Sequence, residues 1–171
     1  AYLKAAIESI LAQTFGDFEF LILDDCPQDD RQKIVESYGD KRIKYIKNPQ
    51  NMGISAARNK LIDLAKGEYL AVFDHDDISL PQRFEKEAAY LDANPECGVV
   101  SSAQKLLVDG HVCIFPENDE DIKNQLFVRC CVVHSAAMIR KSVLTDNNIR
   151  YESEFSPAED YALWCRLMSK T

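Results

Sequence analysis

Hydrophobic and polar residues follow two different periods along the first 95 residues of the chain. Four segments carry apolar residues at helical spacing and predict helices: residues 2–13, 29–38, 54–66 and 81–93. Three short runs are rich in β-forming residues or alternate with period two, and predict strands: residues 18–23, 42–47 and 68–73. Asp29 and Asp30 are suited to cap the second helix, and Gly67 to end the third. Helices alternating with strands over short connections are typical of a parallel sheet.

Beyond residue 95 the pattern predicts a mixture of helices and antiparallel strands. Asp109-Gly110 is a strong hairpin signal. Strands are predicted on both sides of it and further along the chain, at residues 97–108, 112–115 and 132–139. Helices are predicted at residues 122–129 and 156–171. With 171 residues, the chain has the length of one domain, so we expect a single α/β domain with a largely parallel half at 1–95 and a smaller antiparallel half at 96–171.

Acidic residues directly follow two of the predicted strands: Asp24, Asp25, Asp74, Asp76 and Asp77. If these strands are parallel, both acidic groups lie at the same edge of the sheet, where open α/β sheets bind ligands. Crowded carboxylates raise each other's pKa unless a positive charge lies among them. Hard cations such as Mg²⁺ and Mn²⁺ bind through carboxylate oxygens. The sequence therefore favours a metal or nucleotide site here, and the alternative is a solvated acidic turn.

One basic residue lies on the apolar face of the predicted helix at 54–66. Arg58 is four residues after Ile54 and four residues before Ile62. An arginine on the core side of a helix needs an anionic partner. That partner is either a bound ligand or, in the structural alternative, Asp24 or Asp25; a third interpretation is that the guanidinium reaches water.

The last predicted helix also carries a charged residue on its apolar face, in this case an acid. Asp160 is in phase with the apolar residues Leu163, Trp164 and Leu167, so we expect it to point inward. Glu159, about 100° around the helix, is expected to face away. An inward carboxylate beside a metal site is a candidate general base, and the structural alternative is a cap stabilised by the helix dipole.

Other polar residues favour no second catalytic site. His134 lies in an apolar run, which is typical of a core histidine whose hydrogen bonds are satisfied. The acidic run at residues 119–121 is interpreted as a solvated charge run. The chain has no paired histidines, no recognisable nucleophile arrangement, and no P-loop or GxGxxG motif.

Composition excludes several classes of protein. The net charge of −8 argues against a surface that binds nucleic acid or an anionic membrane. No apolar run approaches the roughly 20 residues of a membrane span. The six cysteines lack zinc-type spacing, and they fit unpaired thiols in a reducing compartment better than a disulfide framework.

A series of short motifs, in the right order along nearly the whole chain, resembles the family 2 glycosyltransferases of GT-A fold. The motifs lie at residues 7–15, 18–25, 51–59, 67–69, 73–77, 81–83 and 159–164. No single motif is diagnostic, but the ordered set is specific. The resemblance implies a metal-dependent enzyme that moves a sugar from a nucleotide diphosphate to an acceptor hydroxyl with inversion.

The resemblance also implies roles on the donor side, in a nucleotide-binding half at residues 1–95. Asp25 would bind the donor base, Arg58 would help to hold the nucleotide, and Asp76 would contact ribose or metal. Asp77 would be the main ligand of Mn²⁺ or Mg²⁺, with Asp76 and Asp74 in the same cluster. The metal would neutralise the departing diphosphate, and the donor implied is a UDP-sugar.

On the acceptor side, at residues 96–171, Asp160 would deprotonate the acceptor hydroxyl. His134 and Glu159 are further acceptor-side candidates. The acceptor implied is a saccharide or glycolipid, in the synthesis of cell-surface polysaccharide or glycoconjugate. We expect a cytoplasmic location, including the inner face of a membrane, with membrane association only through segments outside this chain.

The chain departs from the family pattern in three places. His75 replaces a small residue within the acidic motif. The chain begins inside a predicted helix without Met, after the first strand of the family pattern, and ends within the helix that carries Asp160. We therefore expect a fragment truncated at both ends. The alternatives are a catalytically incomplete nucleotide-binding fragment and a nucleotidyltransferase on a similar fold.

Overall fold

The computed structural model describes residues 2–26, 28 and 31–171, and it confirms the alternation of helices and strands. Its helices are α1 (Tyr2–Leu11), α2 (Gln32–Glu36), α3 (Ile54–Leu64), α4 (Arg83–Ala93), α5 (Asp119–Leu126), α6 (Lys141–Asp146) and α7 (Glu159–Leu167). Its strands are β1 (Phe20–Asp24), β2 (Ile43–Lys47), β3 (Tyr69–Ala71), β4 (Val99–Ser101), β5 (Gln104–Lys105), β6 (Val112–Cys113) and β7 (Ala137–Arg140). Single 3₁₀ turns lie at His134–Ala136 and Ser153–Phe155. The predicted caps Asp29 and Asp30 lie outside the described residues.

β1 and β2 form a parallel pair, as the order of elements predicted. Their register runs from Phe20 opposite Ile43 to Asp24 opposite Lys47. α2 lies between them in the chain and supplies the crossover that parallel neighbours require. Together with the flanking helices, this pair confirms the predicted α/β fold class.

β3 pairs with a strand from the far end of the chain. We expected β3 to continue the parallel sheet, but it pairs antiparallel with β7, and β4 pairs with the other edge of β7. The first three residues of β7 are apolar and at most 4% exposed, which suits a central strand covered on both faces. A short apolar run fits any strand neighbour, so local pattern could not identify this partner.

A cavity of about 1200 Å³ separates β1 from β3. Apolar side chains of both strands and of α1, α3 and α4 line it, including Ile7, Leu61 and Phe84. Asp25 and Asp74, which follow the two strands, line it as well. At least one residue of each acidic group therefore borders the same cavity. The expectation that β1 and β3 share the edge of one sheet is not met within the described residues, where the two strands belong to different sheets.

Two apolar clusters support this arrangement, and β7 contributes to both. Met138 packs with Phe84 and Leu91 in the cluster between α1 and α4. Ile139 packs with Trp164 in the cluster that holds α5, α6 and α7. Successive strand residues point to opposite faces, so one strand joins both halves of the core.

Gln13, just after α1, links the end of that helix to the start of α4 through hydrogen bonds of its side chain. Its side-chain oxygen accepts a hydrogen bond from the Phe84 amide at 3.0 Å. Its side-chain nitrogen donates to the Leu80 carbonyl at 2.8 Å and to the Ser79 hydroxyl at 3.1 Å. Gln82, at the cap position of α4, makes no capping side-chain bond of its own. The cap therefore comes from a residue distant in sequence, and it also anchors the chain that follows the acidic turn.

The predicted hairpin is present. Asp109 accepts a hydrogen bond from the His111 amide at 2.9 Å, and Gly110 has φ of 73°, a conformation that glycine adopts without strain. The strand predicted over residues 97–108 is divided into β4 and β5, and only β5 belongs to the hairpin.

A buried ion pair connects α4 with the ends of two other segments. The Arg83 guanidinium donates to the carbonyls of Val72 at 3.0 Å and Ser135 at 2.7 Å, and its Nε lies 3.4 Å from Glu87. Glu87 also accepts a hydrogen bond from the Ser102 hydroxyl at 2.7 Å. Burial raises the pKa of Glu87 to about 7, although Arg83 and Ser102 act in the opposite direction.

We expect Glu87→Gln to change the pH dependence of stability. The carboxyl pKa is about 7 in the folded chain against a usual 4.5, so the folded state binds more protons between these values. Stability therefore falls as pH rises through that window. Relative to wild type, the glutamine variant should gain up to about 3 kcal/mol of unfolding free energy across it. Urea unfolding at several pH values tests this, and parallel pH curves for the two proteins would contradict it.

Candidate active site

The acidic residues after β3 form a turn whose first residue is anchored. The Asp77 amide donates to the Asp74 carbonyl at 3.3 Å. His75 and Asp76 are exposed at the tip of the turn, whereas Asp74 and Asp77 are half-buried. The turn is thus a small acidic projection at the border of the cavity.

The three aspartates do not form a preassembled three-ligand metal site. Among residues 2–26, 28 and 31–171, no three His, Cys, Asp or Glu side chains are close enough together to hold an ion. Asp74 is engaged with a cation of the protein itself, since its Oδ1 lies 3.2 Å from Nη2 of Arg58. Asp76 and Asp77 supply hard oxygen ligands without such a partner in the structure described. They fit a Mg²⁺ or Mn²⁺ that is held by one or two carboxylates and by the phosphates of a ligand.

Arg58 lies between two carboxylates. Besides the contact with Asp74, its Nη1 lies 3.5 Å from Oε1 of Glu159. Its guanidinium carbon is 5.5 Å from the centre of the Tyr151 ring. The prediction of an anionic partner is confirmed, but the partners are Asp74 and Glu159 and not Asp24 or Asp25.

Glu159 faces the interior, which corrects the expectation that it points away. It is 6% exposed, whereas the adjacent Asp160 is half-buried. With about 100° between successive residues, an arc of roughly 140° includes all of the following residues: Glu159, Asp160, Leu163, Trp164 and Leu167. The inward face of α7 is therefore wide enough for both acids.

Asp160 occupies the open end of the same face. Its Oδ1 accepts a hydrogen bond from the Tyr161 amide at 2.7 Å, in the first turn of α7. The side chain remains partly accessible to solvent. A carboxylate in this position can reach a molecule that approaches the helix N-terminus.

His134 is buried and uses one ring nitrogen. Its Nε2 forms a 2.8 Å hydrogen bond with the Tyr151 hydroxyl, and its ring lies 5.7 Å from that of Trp164. Its Nδ1 is buried without a protein partner in the described part of the chain. Burial, with the nearby Arg58 charge, lowers the pKa of His134 to about 4. The histidine is thus neutral and only partly satisfied, which differs from the fully satisfied core residue in our interpretation.

Sequence reasoning missed Tyr151 and Asn59. Asn59, next to Arg58, accepts from the Tyr151 amide at 2.9 Å and donates to the Tyr151 carbonyl at 2.8 Å. This paired contact holds Tyr151 beside Arg58. The only available signal was the position of Asn59 within the motif at residues 51–59.

Asp25 also lines the cavity, and both of its carboxylate oxygens accept hydrogen bonds from the protein. Its two oxygens accept from the side chain of Asn48 at 2.7 Å and from the amides of Met52 and Gly53 at 3.0 Å. Asn48 is completely buried and also accepts from Lys60 at 2.6 Å. Burial alone would raise the pKa of Asp25, but these hydrogen bonds outweigh it and hold the pKa below its usual value. Asp25 therefore shapes the turn before α3, and its contact with a donor base stays a prediction.

No helix among the described residues is both long enough and apolar enough to cross a membrane.

Comparison with known proteins gives one family model and several relatives that match this chain. The family model described as glycosyl transferase family 2 matches residues 1–146. An uncharacterized glycosyltransferase of Methanocaldococcus jannaschii is 34% identical over 98% of this chain and 60% of its own length. The Escherichia coli UDP-Glc:alpha-D-GlcNAc-diphosphoundecaprenol beta-1,3-glucosyltransferase WfaP is 27% identical over 97% of this chain and 64% of its own length. The chain thus spans less than two thirds of these relatives.

Solved structures share the fold of this chain. Staphylococcus aureus TarS 1–349 superposes with a TM-score of 0.83 at 25% identity, covering 99% of this chain and 52% of TarS 1–349. The mannosyltransferase PcManGT of Pyrobaculum calidifontis, solved with GDP-Man and Mn²⁺, has a TM-score of 0.70 at 16% identity and covers 97% of this chain and 48% of its own.

We expect the His134 ring to stay neutral between about pH 7 and pH 5, because burial disfavours its charged form. Its ring nitrogen signals in a ¹H–¹⁵N NMR titration should not move in this range. His75 and His111, both exposed, provide reference signals in the same spectrum. Since the folded pKa lies near 4 and the usual value is 6.5, the contribution of His134 to stability should be lost as pH falls through this window. Protonation of the ring near pH 6.5 would contradict the assignment.

Proposed function

Because this chain belongs to glycosyl transferase family 2, we propose that the protein transfers a sugar from a nucleotide-diphosphate donor to an acceptor hydroxyl, with inversion at the sugar carbon. The observation that best supports this proposal is the acidic turn beside a large cavity, which Arg58 joins to the helix that bears Asp160. This arrangement brings the acids of the turn and the start of α7, with Asp160, to one region of the molecule, which supports a donor role for the former and an acceptor role for the latter.

A UDP-sugar is the donor that we propose. TarS 1–349 has been solved in complex with UDP and with UDP-GlcNAc. In this chain the base and ribose would lie near Asp25, Arg58 and Asp76. Asp25 and Arg58 have protein partners already, so we expect them to shape the nucleotide site as much as to contact the ligand.

Mn²⁺ or Mg²⁺ would be held by Asp77 and Asp76, with Asp74 in support through its contact with Arg58. When bound, the cation supplies positive charge for the diphosphate as it leaves. The Mn²⁺ in the structure of PcManGT supports this proposal. The protein contributes two hard carboxylates on a turn that Gln13 anchors from the following segment.

Asp160 would take the proton of the acceptor hydroxyl as general base. It lies in the first turn of α7, on the face that points inward, and its carboxylate is partly accessible. The neutral His134 and the buried Glu159 lie behind it on the acceptor side. Neither is exposed enough to be the first group that an incoming acceptor meets.

The acceptor would be a saccharide or a lipid-linked saccharide, in polysaccharide or glycoconjugate synthesis on the cytoplasmic side of a membrane. The name of WfaP describes an undecaprenol-linked acceptor, which supports this class. We propose that residues 1–95 serve the donor and residues 96–171 the acceptor. This division describes function only. The two halves are not separate structural units, because β7 from the second half pairs with β3 from the first.

We expect Asp160→Asn to reduce transfer by about 10²–10⁴-fold, because asparagine keeps the size of the side chain but cannot accept the proton. UDP binding should stay nearly unchanged. Transfer of label from UDP-sugars, measured in the full-length protein with analysis of the product, tests this. Glu120→Gln is a suitable control, because Glu120 is an exposed acid in the first turn of another helix, α5. Near-normal turnover of Asp160→Asn would remove Asp160 as the base.

We expect UDP binding to require Mg²⁺ or Mn²⁺, and Asp77→Ala to lose this requirement together with most of the affinity. Calorimetric titration with UDP, with metal and in excess EDTA, measures both effects. Equal affinity in EDTA would contradict the proposed cation site. A merely solvated turn would tolerate Asp77→Ala with a stability change within roughly 0.5 kcal/mol.

A further inference from the structure

Three elements that are distant in sequence meet at one guanidinium. Arg58 belongs to α3, Asp74 begins the acidic turn after β3, and Glu159 is the first residue of α7. The two ion pairs have separations of 3.2 Å and 3.5 Å. Because different nitrogens of one planar group make the contacts, the guanidinium geometry limits the separation of the two carboxylates.

Glu159 depends on this contact more than a surface residue would. Its side chain is 7% exposed, and its Oε2 is buried without a protein partner within the described residues. No other ion pair of Glu159 is present in that part of the chain. A buried carboxylate with one cationic partner has to follow that partner.

Arg58 itself is held in place from several sides. Its side chain is 16% exposed, and the Tyr151 ring lies beside it. The backbone of Tyr151 is bound on both its amide and its carbonyl by Asn59, the neighbour of Arg58. The guanidinium is therefore a fixed point between the acidic turn and α7.

We propose that Glu159 is a positioning residue, which acts through Arg58 and Asp74 to set the first turn of α7, with Asp160, relative to the acidic turn. The inference rests on the proposed function, because it assigns the donor to the turn and the acceptor proton to Asp160. The bridge Glu159–Arg58–Asp74 then sets the distance between the donor-side groups and the base. Its loss disturbs the alignment of the reacting groups and leaves the donor pocket largely intact.

Steady-state kinetics of Glu159→Gln in the full-length protein tests this. Glutamine keeps the shape of the side chain but removes the charge that faces Arg58. We expect kcat to fall about 10- to 100-fold, which is typical of misalignment, with the Kd of UDP changed less than about twofold. Glu159→Asp keeps the charge and should recover part of kcat. Lower stability with unchanged kcat would overturn the proposal.

A double-mutant cycle tests whether Glu159 acts on kcat through Arg58 and Asp74. Glu159→Gln and Asp74→Asn share Arg58 as partner, so their effects on kcat and on unfolding free energy should be non-additive. Arg58→Lys, which cannot reach both carboxylates with a planar fork, should make Glu159→Gln nearly silent. Glu159→Gln combined with Glu120→Gln should be additive, since Glu120 lies on another helix and is exposed. Additive effects of the first pair would overturn the bridge.

The outcomes also separate the bridge from the proposed function. If the wild-type protein binds UDP but transfers no sugar, the proposed function fails. The bridge is then still tested by urea unfolding, in which the effects of Glu159→Gln and Asp74→Asn on unfolding free energy should remain non-additive. If Glu159→Gln abolishes transfer while Asp160→Asn stays active, Glu159 is itself the base, and its positioning role is overturned.

Discussion

The largely desolvated charge of Arg58, whose side chain is 16% exposed, is the constraint on which the site depends. A guanidinium on the apolar side of α3 is unfavourable without anions, and Asp74 and Glu159 supply them from two other parts of the chain. Meeting this requirement brings the acidic turn and the start of α7 together. The contacts that neutralise Arg58 are therefore the same contacts that bring the site together.

β7 provides the mechanical frame for that contact. It pairs with β3, which leads into the acidic turn, and it sends alternate side chains into two apolar clusters. One of these clusters contains Trp164 of α7, and the other contains Phe84 of α4. β7 thus packs against α7 with one face and against α4 with the other, and its edge pairs with the strand that leads into the turn.

Polar groups inside this frame are kept neutral or paired according to their surroundings. Burial keeps His134 uncharged and raises the pKa of Glu87, whereas hydrogen bonds outweigh burial at Asp25 and lower its pKa. His134 lies in the 3₁₀ turn at His134–Ala136, and Asp25 lines the cavity. Glu87 pairs with Arg83, which binds the Ser135 carbonyl in the same 3₁₀ turn. Asp76, Asp77 and Asp160 remain at least partly accessible, and the proposed chemistry assigns the metal to the first two and the acceptor proton to the third.

The sequence by itself determined most of the helices and strands, the hairpin at Asp109-Gly110, the acids after β3 and the need of Arg58 for an anion, because these follow from periodicity and residue chemistry over a few positions. It did not predict α6, and the strand predicted over residues 132–139 is present only as β7, with a 3₁₀ turn at His134–Ala136 before it. Only the tertiary structure decided which strand pairs with β3, which acids meet Arg58, and that Glu159 points inward. These outcomes depend on contacts between residues far apart in the chain, and several partners satisfy the same local pattern. A short apolar strand accepts any neighbour, and an arginine accepts any nearby carboxylate, so packing makes the choice.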